Sequence, residues 1–344
     1  MSDHVLDVID LHASFSTEAG IVRAVDGVSF YVDEGETLAI VGESGCGKTA
    51  TALSILGLLP PRIGQITSGE VLFQGRDLVA MKKKELRSIR GDEIGVVFQD
   101  ALTALNPVKR VGEQVAEVIR THRSVSKKEA ADRAVDLLDL VGIPNASARA
   151  RDYVFQFSGG QRQRAMIALA IALEPKLLIA DEPTTALDVT VQAQIMETLL
   201  DLKERLGMSM ILITHDLGVV AGTADRVMVM YAGRPVERQP VDDLYENPKH
   251  PYSWGLMQST PAVDETVARL YQIPGAPPSL VHPPKGCRFA ARCVYAQDIC
   301  RDEDPPLKDV DQTAAVACHF SHLPDWGPSF SPDDLSELVA EGVS

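Results

Sequence analysis

Apolar residues along this chain fall into two spacings. Short, nearly unbroken apolar runs at Thr37-Leu38-Ala39-Ile40-Val41, Glu93 to Phe98, Leu177 to Ala180 and Met210 to Thr214 predict buried strands. Val5 to Leu11, Ile21 to Val32 and Ser68 to Phe73 predict further strands, the first two joined through Phe15 to Gly20. Helical spacing takes over at Ala50 to Leu59 and at Arg162 to Leu173. It also holds from Val111 through Val115, Val118 and Ile119 to Ala134, Val135, Leu138 and Val141, a helical insertion that Gly142 and Pro144 stop.

Several strand ends coincide with residues that carry chemistry. The first buried run leads into Gly42-Glu43-Ser44-Gly45-Cys46-Gly47-Lys48-Thr49, a full match to G-x-x-x-x-G-K-[ST], with a helix after it. Glycines let the backbone approach a triphosphate, and successive N–H groups with the helix N-terminus face the anion. Lys48 reaches the outer phosphates, and the Thr49 hydroxyl serves Mg²⁺. Cys46 occupies a place in this loop where small residues are wanted, without chemistry of its own. Gln99 stands where a buried strand meets a loop, a place where parallel sheets bind ligands; its amide is a candidate for Mg²⁺ or the attacking water, or it is a plain surface glutamine. Ser158-Gly159-Gly160-Gln161 opens a helix and forms a second anion site.

The run Leu177 to Ala180 delivers Asp181 and Glu182 to a strand end, and burying charge there is costly unless a cation or a reaction uses it. Asp181 suits water-mediated Mg²⁺ binding, and Glu182 suits polarising a water against a γ-phosphate. Ala186-Leu187-Asp188 follows closely, and His215 ends the next buried run as a candidate γ-phosphate sensor. Phe15 is a candidate for stacking on an adenine, with a core position equally open to it. The segment Asp100 to Pro107 reads as an exposed loop with Leu102 and Leu105 on it.

Composition narrows the setting. The formal net charge of −15 argues against a general nucleic-acid binder, and Lys82-Lys83-Lys84 with Arg87 and Arg90 reads as a solvated helix face beside Glu85, Asp92 and Glu93. No apolar run approaches the roughly 18 residues that cross a bilayer. Met1 to His4 lacks the basic region and apolar run of a signal peptide, so residence in the cytoplasm is the expectation.

The order of these motifs resembles the ATP-binding cassette family. Gly42 to Thr49 is similar to its Walker A loop, Gln99 to its Q-loop, Ser158 to Gln161 to its signature, Leu177 to Asp181 to its Walker B strand with Glu182 as base, Ala186-Leu187-Asp188 to its D-loop and His215 to its switch histidine. The resemblance implies an α/β P-loop fold with a mixed sheet core, an antiparallel β subdomain and a helical subdomain at about 100–172, together spanning residues 1–240. It also implies ATP and Mg²⁺ as ligands and head-to-tail cassette pairs in which Ser158 to Gln161 cap the ATP of the partner. Cassettes of chromosome maintenance carry long coiled coils that the segment Ala50 to Phe157 lacks, and a translation-type protein would repeat the Walker A loop. Intact Glu182 and His215 speak against a sensor that only binds ATP.

Beyond about Val241 the character changes. His250-Pro251-Tyr252-Ser253 leads into Ile273-Pro274-Gly275-Ala276-Pro277-Pro278-Ser279-Leu280 and Pro283-Pro284, a proline density that predicts an extended strap without helix. Cys287, Cys293, Cys300 and Cys318 follow with spacing C-x5-C-x6-C-x17-C, which reads as metal ligation in a reducing compartment yet matches no common zinc or ferredoxin spacing. From the residues alone the metal stays open. Ile273-Pro274-Gly275, Gly286-Cys287-Arg288-Phe289, Arg292-Cys293, Cys300 and Ala317-Cys318-His319 resemble the C-terminal extension of bacterial oligopeptide/dipeptide importer ATPases, here residues 241–344. That resemblance implies a [4Fe-4S] cluster on the four cysteines. It further implies two membrane permease subunits, a second cassette subunit and an extracytoplasmic binding protein as partners, at the cytoplasmic face of the inner membrane. Related importers carry nickel chelates, glutathione or sugars, so the substrate is not legible in the chain.

Overall fold

The computed structural model describes residues 4–185, 187–259 and 272–321. The chain divides into two compact units, the first drawn from residues 1–6, 31–37 and 72–213 and the second from residues 7–30, 38–71 and 214–344. In chain order the strands are β1 (Leu6–Thr17), β2 (Gly20–Val32), β3 (Thr37–Val41), β4 (Gly64–Phe73), β5 (Arg76–Asp77), β6 (Ile94–Val97), β7 (Leu177–Asp181), β8 (Ser209–Thr214), β9 (Arg226–Tyr231), β10 (Arg234–Pro240), β11 (Lys308–Asp309) and β12 (Ala315–Val316).

In the first unit β6, β7 and β8 form a parallel ladder, with Val97 opposite Ala180 and Asp181 opposite Ile213. Every residue of β7 is buried. Burial of each Leu or Ile contributes roughly 1.5–3 kcal/mol, which helps the strand carry a carboxylate at its end. The helical insertion is built from Val111–His122 and Lys127–Leu140, packed on each other through buried Val111, Val115, Ile119, Ala130, Ala134 and Leu138. Ser126 caps the second of these helices, accepting a hydrogen bond from the Glu129 N–H at 3.1 Å. The helix Lys83–Ile89 buries Leu86 and Ile89 and exposes Lys83, Lys84 and Arg87, the solvated basic face that the sequence predicts.

The second unit contains β2, β1 and β4 side by side, and β3 paired in parallel with β9. The hairpin β9–β10 turns at Ala232-Gly233, and β12 then β11 extend β10. β1 runs through to Thr17, so Phe15 lies in a strand rather than in a connector. The Thr17 hydroxyl donates to the Gly20 carbonyl at 2.8 Å and closes the turn there.

Two further helices, Val241–Glu246 and Pro251–Gln258, correct the helix-free reading of the start of the tail. Pro251 is tolerated because it occupies the first turn, where its missing N–H is no loss, and His250 caps the helix by accepting from the Tyr252 N–H at 3.0 Å. The stretch from Ile273 to Pro284 does run without helix. It joins the sheet through the Arg23 N–H, which donates to the Leu280 carbonyl at 3.0 Å. Tyr231, Tyr252 and Phe289 pack ring against ring at centroid distances of 4.6, 5.3 and 5.3 Å, and each such pair contributes about 0.5–1.5 kcal/mol toward holding the tail.

Candidate functional site

The residues that the sequence singles out for nucleotide chemistry are divided between the two units. In the second unit β3 is buried throughout and ends at Val41, and the phosphate loop runs from Gly42 to Gly47 into the helix Lys48–Ile55. Gly42 and Gly47 have φ of 150° and 111°. A Cβ on either would come within 2.2 Å of a backbone oxygen, that of Met230 or of Ala24, so only glycine fits. Lys48 is 5% exposed, and its Nζ donates to the carbonyls of Gly42 at 2.8 Å and Glu43 at 3.2 Å. Ser44, Gly45 and Thr49 are exposed, while Cys46 is buried and burial pushes its thiol up.

Phe15, half-buried on β1, packs against Gly64, where a Cβ would come 3.1 Å from its ring. His215 is exposed just beyond β8. Asp216 next to it caps the helix Leu217–Ala221 by accepting from the Val219 N–H at 3.3 Å.

In the first unit the parallel ladder brings Gln99 and Glu182 together. The Gln99 Nε2 donates to Glu182 Oε2 at 2.9 Å, and the Thr185 hydroxyl donates to the same oxygen at 2.8 Å. Glu182 has φ of 46°, a backbone conformation that non-glycine residues rarely adopt, and its N–H is held by the Ile213 carbonyl at 2.8 Å. Asp181 beside it is 5% exposed.

Ser158 caps the helix Gly159–Ala170 reciprocally with Gln161. Its hydroxyl accepts from the Gln161 N–H at 3.3 Å, and Gln161 Oε1 accepts from the Ser158 N–H at 3.1 Å. Gly160 lies so close to the helix Val189–Leu206 that a Cβ would meet Val191 at 2.7 Å, and Asp188 caps that helix through the Val191 N–H at 3.0 Å. The signature and Leu187-Asp188 are therefore packed together, and Ala186 lies outside the described residues. Leu102 is 53% exposed, but Leu105 is 2% exposed. Asp100 caps a short helix, Ala101–Ala104, that turns Leu105 inward, so the reading of both leucines as surface residues holds for Leu102 only.

All four tail cysteines, in the second unit, line one small cavity together with Phe289, Tyr295 and Phe320. They are free thiols. Burial pushes every one of them up, Cys287 to about 11 and Cys293 to about 12. Any metal there has to displace thiol protons. Among the described residues no group of three or more His, Cys, Asp or Glu side chains is set to hold a metal ion.

Sequence reasoning missed the side chains that hold the phosphate loop from the tail. The Tyr252 hydroxyl accepts from the Glu43 N–H at 3.0 Å, and the Arg292 Nη1 and Nη2 donate to the Glu43 carboxylate at 2.8 and 2.9 Å. Burial works against the charge of Arg292, yet its bonds to Glu43 and Tyr231 outweigh it and raise its pKa. Partners more than 200 residues apart leave no local signal.

Residues 25–185 match the family model described as ABC transporter, and residues 236–300 match that of the oligopeptide/dipeptide transporter C-terminal region. The chain is 51% identical over 331 residues to the oligopeptide transport ATP-binding protein OppD of Bacillus subtilis, covering 96% of this chain and 92% of that protein. It is 49% identical to the dipeptide transport ATP-binding protein DppD of Lactococcus lactis, covering 96% and 95%. Among solved structures, it is similar to the ATP-binding cassette MJ0796 in a dimeric post-hydrolysis state bound to ADP and Pi. That likeness has a TM-score of 0.61 and 30% identity, and covers 69% of this chain and 98% of that one.

Proposed function

The chain belongs to the ATP-binding cassette subunits of oligopeptide and dipeptide transporters, and on that premise we propose that it is the ATP-hydrolysing motor of a bacterial peptide importer. The observation that carries this reading is Glu182, a carboxylate at the end of a buried strand whose oxygen is oriented by both Gln99 and Thr185. In that position it serves as general base: it takes a proton from water as the water oxygen bonds to the γ-phosphorus, while the bridging P–O bond breaks and ADP leaves with the electron pair.

Lys48 and the phosphate-loop N–H groups from Gly42 to Thr49 neutralise the triphosphate. Thr49, Gln99 and Asp181 are the residues that would hold Mg²⁺, which would supply charge neutralisation to the triphosphate. His215 senses the γ-phosphate, Phe15 meets the adenine, and Ser158, Gly159, Gly160, Gln161 and Asp188 act on the nucleotide of a second cassette. The catalytic cassette spans residues 1–240, with a helical part at about 100–172, and the extension spans 241–344; the family match at 236–300 supports that boundary.

Among the described residues no helix is long and apolar enough to cross a membrane. On the family reading, the subunit works from the cytoplasmic face of the inner membrane on two permease subunits, beside a second cassette subunit and downstream of an extracytoplasmic peptide-binding protein, without nucleic acid. The four cysteines are assigned a [4Fe-4S] cluster. Four thiols lining one apolar cavity are the observation that supports this.

Peptide offered on the binding-protein side of vesicles carrying the assembled transporter should raise ATP hydrolysis several-fold. Nickel chelates, glutathione and sugars should leave it at the basal rate. Stimulation by one of those and not by peptide would keep the motor and reassign the cargo.

A further inference from the structure

The turn between Cys287 and Cys293 is closed by backbone bonds. The Cys293 N–H donates to the Phe289 carbonyl at 3.0 Å and the Cys287 N–H to the Cys300 carbonyl at 2.8 Å. From it two arginines reach out of the thiol cavity. Arg288 pairs with Asp26 and the Ala232 carbonyl. Arg292, its side chain 6% exposed, makes the two-pronged pair with Glu43, the second residue of the phosphate loop.

The Arg292 guanidinium is fixed on its other sides too. Its Nε donates to the Pro274 carbonyl at 2.8 Å and its Nη1 to the Tyr231 hydroxyl at 3.2 Å, and it lies 5.7 Å from the Tyr231 ring centroid and 6.0 Å from that of Phe289. A planar fork held at this many points has one orientation, so it sets the carboxylate it grips. Glu43 is held at every polar group: its N–H by Tyr252, its carboxylate by Arg292, and its carbonyl by the Lys48 ammonium that must meet the phosphates.

We propose that Arg292 is a positioning residue for triphosphate binding, acting through Glu43: it neutralises and anchors a carboxylate that would otherwise stand unpaired beside the anion site. The proposal rests on the ATP-site reading above. The tail is on this account more than an appendage, because the turn that carries Cys287 and Cys293 also sets the charge at the mouth of the phosphate loop. Glu43 is 26% exposed in its side chain, so water screens it only in part. Without Arg292 its charge would oppose every phosphate entering the loop. Lysine would restore the charge but not the two-pronged grip.

The test is Mg-ATP affinity and thermal midpoint, measured on the full chain for Arg292→Gln, Arg292→Lys, Glu43→Gln and the double variant Arg292→Gln/Glu43→Gln, with Lys48→Ala in parallel. Arg292→Gln should weaken Mg-ATP roughly five- to twenty-fold, and Arg292→Lys less. The double variant should return to within about twofold of the wild type while its thermal midpoint stays as low as that of Arg292→Gln, since the ion pair is missing from both. Unchanged affinity in Arg292→Gln overturns the proposal. So does a loss that persists in the double variant, because affinity would then follow the stability of the tail and not the charge of Glu43. Full affinity in Lys48→Ala would instead bring down the ATP-site reading beneath it.

Discussion

Asp26 illustrates how one residue ties the tail to the cassette. Its side chain, 10% exposed, accepts from Arg288 and from Arg234 Nε at 3.2 Å, and it faces His12 Nδ1 at 3.0 Å. Arg234 in turn meets Asp304 at 2.5 Å, and His12 Nε2 meets Asp10 at 3.0 Å. Burial opposes the charge of Asp26, but the Arg288 and Arg234 guanidiniums outweigh it and hold the carboxyl below its ordinary 3.8. A depressed carboxylate pKa contributes stability above the unfolded value and loses it as pH falls through the folded one. Asp26→Asn, which strands the buried Arg288, should therefore cost about 3 kcal/mol at pH 7. The gap from wild type, read as the urea midpoint, should narrow steadily below 3.8; a gap that does not change with pH would contradict the ion-pair account. At this scale the motif residues were legible because phosphate chemistry demands them at consecutive positions. Asp26, Glu43, Tyr252 and Arg292 were not, because each acts through a partner brought near only by folding.

Among the elements, β3 and β7 were legible since a strand covered on both faces must be apolar throughout. The hairpin β9–β10 carries no motif, and the helix Val189–Leu206 shows in the sequence only through the helical spacing of its buried Ile195, Met196, Leu199 and Leu202. Leu105 was misplaced because nothing local reveals which side of a one-turn helix faces inward. The cysteine segment sets a sharper test of the element scale. Its few short elements, the helix Asp298–Asp302 with β11 and β12, give little regular structure to offset ordering entropy. Metal–thiolate bonds can supply the rest. Anaerobically purified protein should be brown and contain iron and acid-labile sulfide. Cys293→Ser should lose the colour and loosen the region beyond Val241, seen as faster amide exchange, before nucleotide binding weakens. Stoichiometric zinc without sulfide would overturn the cluster and leave the structural argument for a metal standing.

For the molecule as a whole, composition was a guide mainly by exclusion: a net charge of −15 turns the reading away from nucleic acid, and no long apolar run suggests a membrane span. The cassette fold was legible because its motifs occur in one order along the chain. The division into two interleaved compact units was not, because each unit takes up several separate stretches of sequence. The central claim, that this chain hydrolyses ATP with Glu182 as the base, is tested most directly by Glu182→Gln in the assembled transporter. The substitution keeps the size of the side chain and removes the proton acceptor. Mg-ATP affinity should stay within about twofold of wild type, while steady-state phosphate release falls by a factor of about 10² or more. Phosphate release near the wild-type rate, with ATP bound normally, would contradict it.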